Sequence, residues 1–315
     1  MISGPPLPVA RPQMLPPSSP LLPSSSLSPD GQRHGQAPSP QLCLDYQRLR
    51  DLCPVLNLRV LDPAEPGPSA ADGWYSGAQL ASDERALAAA LACEETRIAA
   101  EHGRAPRPHV TASRLLHHYL WSACLLIAGP WHLARRVPRI DPADLWLHAP
   151  TGDLALRPRG HVSLPGESPV CGNEPLLAEP LPGESLPGED ELRAELRAAV
   201  VAHVEPLLAA FAGPTRRRDR ALWGMVTDDM ASALWYLGRM LGEEDAAVAA
   251  AEAVLPGGTL PLPGAADFRR LHTPDGRSHP IRTRLGCCLY YAVKPEAVAC
   301  ITCPRTSDEE RLRRL

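Results

Sequence analysis

Along most of this chain, apolar residues recur every three to four positions, the period of a helix buried on one side. Leu87, Leu91, Glu94 and Ile98 mark such a face. They predict a helix over 83–102, with Ser82 as N-cap, Asp83 and Glu84 in the first turn and Gly103 as the stop. A wider stripe (Leu115, Leu116, Tyr119, Leu120, Ala123, Leu126) predicts a deeply buried helix over 111–128, ended by Gly129-Pro130. Then the period shortens. Leu145-Trp146-Leu147-His148 and Asp153-Leu154-Ala155-Leu156-Arg157 flank the turn residues Pro150-Thr151-Gly152 and predict a β-hairpin. Helical spacing returns over 189–211, with a kink at Pro206 and Gly213-Pro214 as its close. It continues over 218–241, where Leu222, Trp223, Val226, Met230, Leu234 and Leu237 form the apolar face, and over 243–255. The expected fold is mainly α with one small β-hairpin (α+β).

Two stretches carry no such pattern. Residues 1–41 are rich in Pro and Ser, and this composition predicts a disordered extension ahead of order beginning near Leu42. Within 160–190, Leu164-Pro165-Gly166-Glu167-Ser168 recurs at Leu181–Ser185 and, as LPGED, at Leu186–Asp190. Copies this short are no solenoid, and their Pro and Gly predict a low-complexity surface loop. The remaining organisation reads as a helical domain over 42–280, a cysteine segment over 281–305 and a charged tail over 306–315.

Composition narrows the function. The 315 residues carry a net charge of −4, which excludes a strongly basic nucleic-acid binder, so no nucleic acid is expected as partner. The start has no basic-then-apolar signal pattern, and no uninterrupted apolar run is long enough to span a membrane. A cytoplasmic protein without a transmembrane span is expected, with peripheral membrane association as the remaining form of membrane contact. No strand-linked glycine fingerprint for a nucleotide is visible, because Gly257-Gly258 sits in a Pro-rich loop.

In a reducing compartment nine cysteines are seldom disulfides. Cys43, Cys53, Cys93, Cys124 and Cys171 are scattered and read as small apolar residues. Cys287, Cys288, Cys300 and Cys303 are crowded into C-C-x11-C-x2-C. The C-x2-C half lets two sulfurs reach one iron or zinc ion. Adjacent cysteines diverge and chelate a single small ion awkwardly, which favours a binuclear [2Fe–2S] centre over mononuclear zinc. A structural zinc site and a C-x-x-C redox pair remain open on these residues alone, though no βαβ pattern surrounds the latter. His117 and His118 lie on a predicted helix with no second metal ligand at useful spacing.

At Cys287-Cys288-Leu289-Tyr290-Tyr291 and Cys300-x2-Cys303 the sequence resembles the FhuF-like ferric-siderophore reductases. Arg282 and Arg284 match the family's basic lead-in, and Arg220-Ala221-Leu222-Trp223-Gly224 with Ser232 is a weaker match. Eleven residues separate Cys288 from Cys300, one more than is common in the family, and the extra residue is expected near Lys294-Pro295-Glu296. The resemblance implies a [2Fe–2S] cluster held by the four cysteines. It also implies one-electron reduction of Fe(III) in a hydroxamate-type siderophore. The electron donor would be separate: a ferredoxin, a flavin reductase or a siderophore-interacting reductase. Tyr290, Tyr291 and Ile301 would shield the cluster. Arg282 and Arg284, with Tyr290 and Tyr291, would dock siderophore or donor. A zinc-stabilised or cluster-bearing binding protein of siderophore metabolism is the alternative.

Overall fold

Tyr46 explains why the deeply buried helix expected over 111–128 passes its expected end. The computed structural model describes residues 40–163, 188–293 and 298–315. In it α4 spans Pro108–Ala134 and continues through Gly129-Pro130. A proline at 130 leaves the carbonyl of Leu126 without its helical donor. The buried Tyr46 hydroxyl, on α1 (Pro40–Leu52), donates to that carbonyl at 3.2 Å. Every residue from Val110 to Trp131 is buried or half-buried, so this helix presents no fully exposed face along that stretch.

The helix expected over 83–102 is α3, Glu84–His102. Its N-cap is Asp83, whose carboxylate accepts from the Arg85 and Ala86 amides, and not Ser82. Ser82 instead closes the short α2 (Gly77–Ser82) by donating to the Ala78 carbonyl. The helix from 189 is α5, Glu189–Thr215, which runs past Pro206 and Pro214 to a left-handed cap at Arg216. Pro206 and Ala202, four residues earlier, both lie on the exposed face, so the freed carbonyl is open to water. Helix α5 is long and apolar enough to cross a membrane, but its Leu192, Leu196, Val200, Val204, Leu207 and Phe211 are buried in the protein core. Helices α6 (Asp219–Leu241) and α7 (Glu244–Val254) match the expected segments. At their crossing, a Cβ on Gly238 would sit 2.1 Å from the Ala247 Cβ, so only glycine permits that approach.

The β content exceeds one hairpin. β4 (Leu145–His148) and β5 (Leu154–Leu156) do pair antiparallel, Leu145 opposite Leu156. They are the centre of a four-stranded sheet ordered β1-β5-β4-β2, where β1 is Leu58–Val60 and β2 is Trp74–Ser76. β1 joins β5 in parallel, Leu58 opposite Leu154, a long-range pairing that local alternation cannot announce. Two further ribbons form, β3 (Arg136–Pro138) with β6 (His161–Ser163) and β7 (Phe268–His272) with β8 (Ser278–Arg282). The stretch expected as loop from 160 therefore begins with a strand. The Pro/Ser-rich residues 1–39, the repeats over 164–187, Cys171 and Lys294-Pro295-Glu296 lie outside the described residues.

One core joins these elements. α4 packs against α5 and α6, and leucines 58, 145, 147, 154 and 156 bring one sheet face into the same cluster. The described residues belong to a single unit, Gln36–Leu315, so the cysteine segment is built onto the helices.

Candidate metal centre

The cysteine segment is held to the helical core by a buried pair of acids. Asp228 and Asp229 lie on the core side of α6 and are fully buried. Strand β8 leads directly to them. Arg282, 0% exposed, donates to Asp228 Oδ1 at 2.7 Å and to the Asp228 carbonyl at 3.0 Å. Its Nε donates to the Ala266 carbonyl at 3.1 Å. The same Asp228 carboxylate accepts the amides of Leu285 and Gly286, both at 2.9 Å. The backbone that enters the cysteine pair is thus fixed by one side chain. Arg284 donates to Asp229 Oδ1 at 2.6 Å, and His117 Nδ1 on α4 meets Asp229 Oδ2 at 2.9 Å. Burial would raise the Asp229 carboxyl, but the charges of His117 and Arg284 outweigh it and hold the group below the usual carboxylate range.

The four thiols form two pairs. Cys287 Sγ lies 3.9 Å from Cys303 Sγ, and the Cys288 and Cys300 side chains are close enough to shift each other's ionisation. Each pair takes one member from the adjacent cysteines and one from the C-x2-C turn. Cys303 Sγ faces Cys287, while Cys300 Sγ also meets Thr302 Oγ1 at 3.7 Å. Leu289 has a left-handed backbone (φ 62°), which turns the chain after Cys288 and directs its amide to Cys287 Sγ at 3.4 Å. A leucine in that region costs roughly 1 kcal/mol, a local strain located at the thiols.

Charge around the pairs is positive. The hydrogen bond from Cys300 brings the Cys288 thiol down to about 4; burial opposes this, and His117, Arg114 and Arg284 add to the lowering. Cys300, as the donor, is pushed up, and burial raises Cys287. Arg217, in the turn between α5 and α6, donates to the Cys287 carbonyl at 2.5 Å. Among the described residues no group of three or more His, Cys, Asp or Glu side chains is already gathered about one point. Two thiol pairs, one thiolate already favoured and cations close by, are a donor set suited to two irons.

The C-x2-C turn is braced by the residues that follow it. Arg311, 3% exposed on α8 (Asp308–Leu312), donates to the carbonyls of Ile301 at 2.7 Å and Cys303 at 2.9 Å. Thr306 donates to the Cys300 carbonyl, and Arg314 to that of Ala299. Residues 306–315, expected as a charged tail, are part of the site's support. The two halves of the cysteine segment are also tied to each other, because the Arg284 amide donates to the Thr302 carbonyl at 2.8 Å. On the other side, Val293, Leu289 and Ala292 pack with Ile98 of α3 and Val110 of α4.

Several expected roles change. Arg282 and Arg284 cannot dock a siderophore or a donor, because both are buried and occupied by Asp228 and Asp229. Cys288 and Cys303 are 5% and 2% exposed, while Cys287 and Cys300 are half-buried. Tyr290 is partly exposed, with Arg114 over its ring at 5.3 Å, and Tyr291 stacks under Arg305 at 4.4 Å. Ile301 is half-buried. Trp223 is half-buried against the core. Cys53 and Cys124 are buried, and Cys43 and Cys93 partly so. His118 is held neutral, down to about 4, chiefly by burial. Sequence reasoning missed Asp228, Asp229, Arg217 and Arg311. The acids had a signal, since two consecutive carboxylates between Val226 and Met230 interrupt an apolar helix face.

Comparison with known families gives a match over residues 284–305 to the FhuF 2Fe-2S C-terminal domain. It contains all four clustered cysteines and begins at Arg284. Comparison with curated proteins gives no match. The paired thiols and the matched segment coincide: the C-terminal part of this chain is FhuF-like, a 2Fe-2S domain whose cofactor is a [2Fe–2S] cluster.

Proposed function

We propose that this protein is a cytoplasmic ferric-siderophore reductase, which passes one electron to Fe(III) in a hydroxamate-type siderophore and so releases Fe(II). The observation that carries the reading is the gathering of the four cysteines, with Cys287 Sγ 3.9 Å from Cys303 Sγ, inside the FhuF-like segment. In this reading those four residues hold the cluster, which when bound supplies a one-electron reductant; all-cysteine centres of this kind reach about −400 mV. Such a potential suits the substrate. Hydroxamate oxygens are hard donors that bind Fe(III) tightly, and reduction to Fe(II) weakens every iron–oxygen bond without destroying the ligand. Removal of Fe(II) by any downstream binder draws the reaction forward.

The chain's own residues perform three tasks. Asp228 fixes the Leu285 and Gly286 amides, and Arg311 fixes the Ile301 and Cys303 carbonyls, so both halves of the thiol set are pre-positioned. Arg284 and Arg217 place positive charge beside the thiolates, which offsets negative charge accumulated on reduction. Half-burial of Cys287 and Cys300 leaves an edge of the site close to solvent, where a chelate can approach.

Substitution Cys300→Ser tests the reading. It is expected to abolish the red-brown chromophore and the release of Fe(II) from ferric hydroxamates together. A variant that keeps its colour and full iron release would exclude it. Stoichiometric zinc in place of iron and sulfide would favour the binding-protein alternative.

A further inference from the structure

The buried state of Arg282 and Arg284 leaves open where an electron donor meets this protein. The turn from α5 to α6 reads Arg216-Arg217-Arg218-Asp219-Arg220. Arg217 points inward and binds the Cys287 carbonyl, so the turn sits directly on the cysteine segment. Arg216, Arg218 and Arg220 are exposed and form no ion pair with any described residue. The last of them, Arg220, lines a shallow cavity of 370 Å³ together with Trp223, Leu260, Pro261, Leu262 and Pro263. Leu260 is 94% exposed. Leu285, 48% exposed, packs at this cavity's edge, its Cβ 3.6 Å from where a Cβ on Gly224 would lie. Leu285 precedes Cys287 by two residues, so their Cα atoms are within about 7 Å of each other.

Exposed leucines and a tryptophan edged by unpaired arginines have the composition of a protein-docking surface. Resting on the reductase reading, we propose that this face receives an acidic one-electron carrier protein, whose carboxylates meet Arg216, Arg218 and Arg220 while an apolar patch covers Leu260 and Leu285. A ferric trihydroxamate fits the charge pattern less well, because three anionic hydroxamates neutralise Fe(III) and leave arginines little to bind. The electron count closes simply. The reduced carrier loses one electron and leaves oxidised, and one Fe(III) becomes Fe(II), with no proton or covalent bond exchanged between the proteins.

The test mixes the cluster-loaded, oxidised protein anaerobically with a reduced acidic plant-type ferredoxin and follows the bleaching rate against salt. The variant is Arg216→Glu/Arg218→Glu/Arg220→Glu, with the three Gln replacements as a milder control. Wild-type protein should accept the electron faster at low salt, and the Glu variant should be at least about tenfold slower, with Gln between. Reduction of all three proteins by dithionite should be equal, which establishes intact folding and cluster. Equal ferredoxin rates for wild type and the Glu variant, no electron acceptance by wild type, or absence of salt dependence would each overturn the proposal. So would a Glu variant whose only defect is a raised KM for ferric hydroxamate with dithionite as reductant, since the face would then bind the chelate. Failure of the reductase reading is separate: ferredoxin would still reduce the protein through these arginines, but no Fe(II) would appear.

Discussion

Replacement of Asp228 by alanine removes the most connected side chain of the site. Its carboxylate accepts from the fully buried Arg282 Nη2 and from the part-buried amides of Leu285 and Gly286. Alanine leaves the Arg282 guanidinium buried without its counter-charge, which costs about 3–5 kcal/mol. It also leaves two amides without acceptors, each worth roughly 1–3 kcal/mol if no water enters. These losses overlap and do not add, so about 4 kcal/mol is expected, against a total stability of roughly 5–15 kcal/mol. Urea unfolding of the loaded protein measures the loss, and the visible absorbance decay in the presence of an iron chelator reports retention of the cluster. Both should worsen. The double variant Asp228→Ala/Arg282→Met should be less unstable than Asp228→Ala alone, because the stranded charge is gone. It should still lose the cluster quickly, because the Leu285 and Gly286 amides remain unanchored. A single variant within about 1 kcal/mol of wild type, with unchanged cluster lifetime, would refute the latch argument.

Two further outcomes follow from the same structure. Arg311→Ala removes the donor to the Ile301 and Cys303 carbonyls and should shorten cluster lifetime several-fold while leaving the helical circular dichroism intact; an unchanged lifetime would return residues 306–315 to the status of a tail. His203 is fully buried, donates through Nδ1 to the Ile140 carbonyl and accepts from Tyr119, and burial holds it down to about 4. Its folded value is below the unfolded one, so its contribution is present at neutral pH and is lost as pH falls from about 6.5 towards 4. The loss should reach about 3 kcal/mol at acid pH, and His203→Gln should flatten that part of the stability–pH curve; an unchanged slope would contradict it.

What the sequence disclosed and what it hid divide by range. Helices α3 to α7 and the β4–β5 hairpin follow from local periodicity, and the cysteine quartet follows from spacing. The stop at Gly129-Pro130 failed because the compensating donor, Tyr46, lies eighty residues from the carbonyl it serves. Strand β1 was invisible because three residues that pair in parallel with β5 have no local signature. The β7–β8 ribbon did carry a turn signal, Thr273-Pro274-Asp275-Gly276, but its polar, arginine-rich strands lack alternation. At the site, the cysteines were legible and their pairing was not. Arginines 282 and 284 resembled surface charges because their partners, Asp228 and Asp229, sit on a helix more than fifty residues earlier.

The reductase reading is tested most directly by a single turnover. Protein reduced anaerobically with dithionite and freed of excess reductant is mixed with one equivalent of a ferric hydroxamate and a ferrous-specific chelator. Absorbance of the protein and of the ferrous complex is followed in the same cuvette. The expected result is reoxidation of the protein in step with one Fe(II) per cluster. Protein that stays reduced while the ferric chelate persists would contradict the central claim and leave an FhuF-like 2Fe-2S protein with another task.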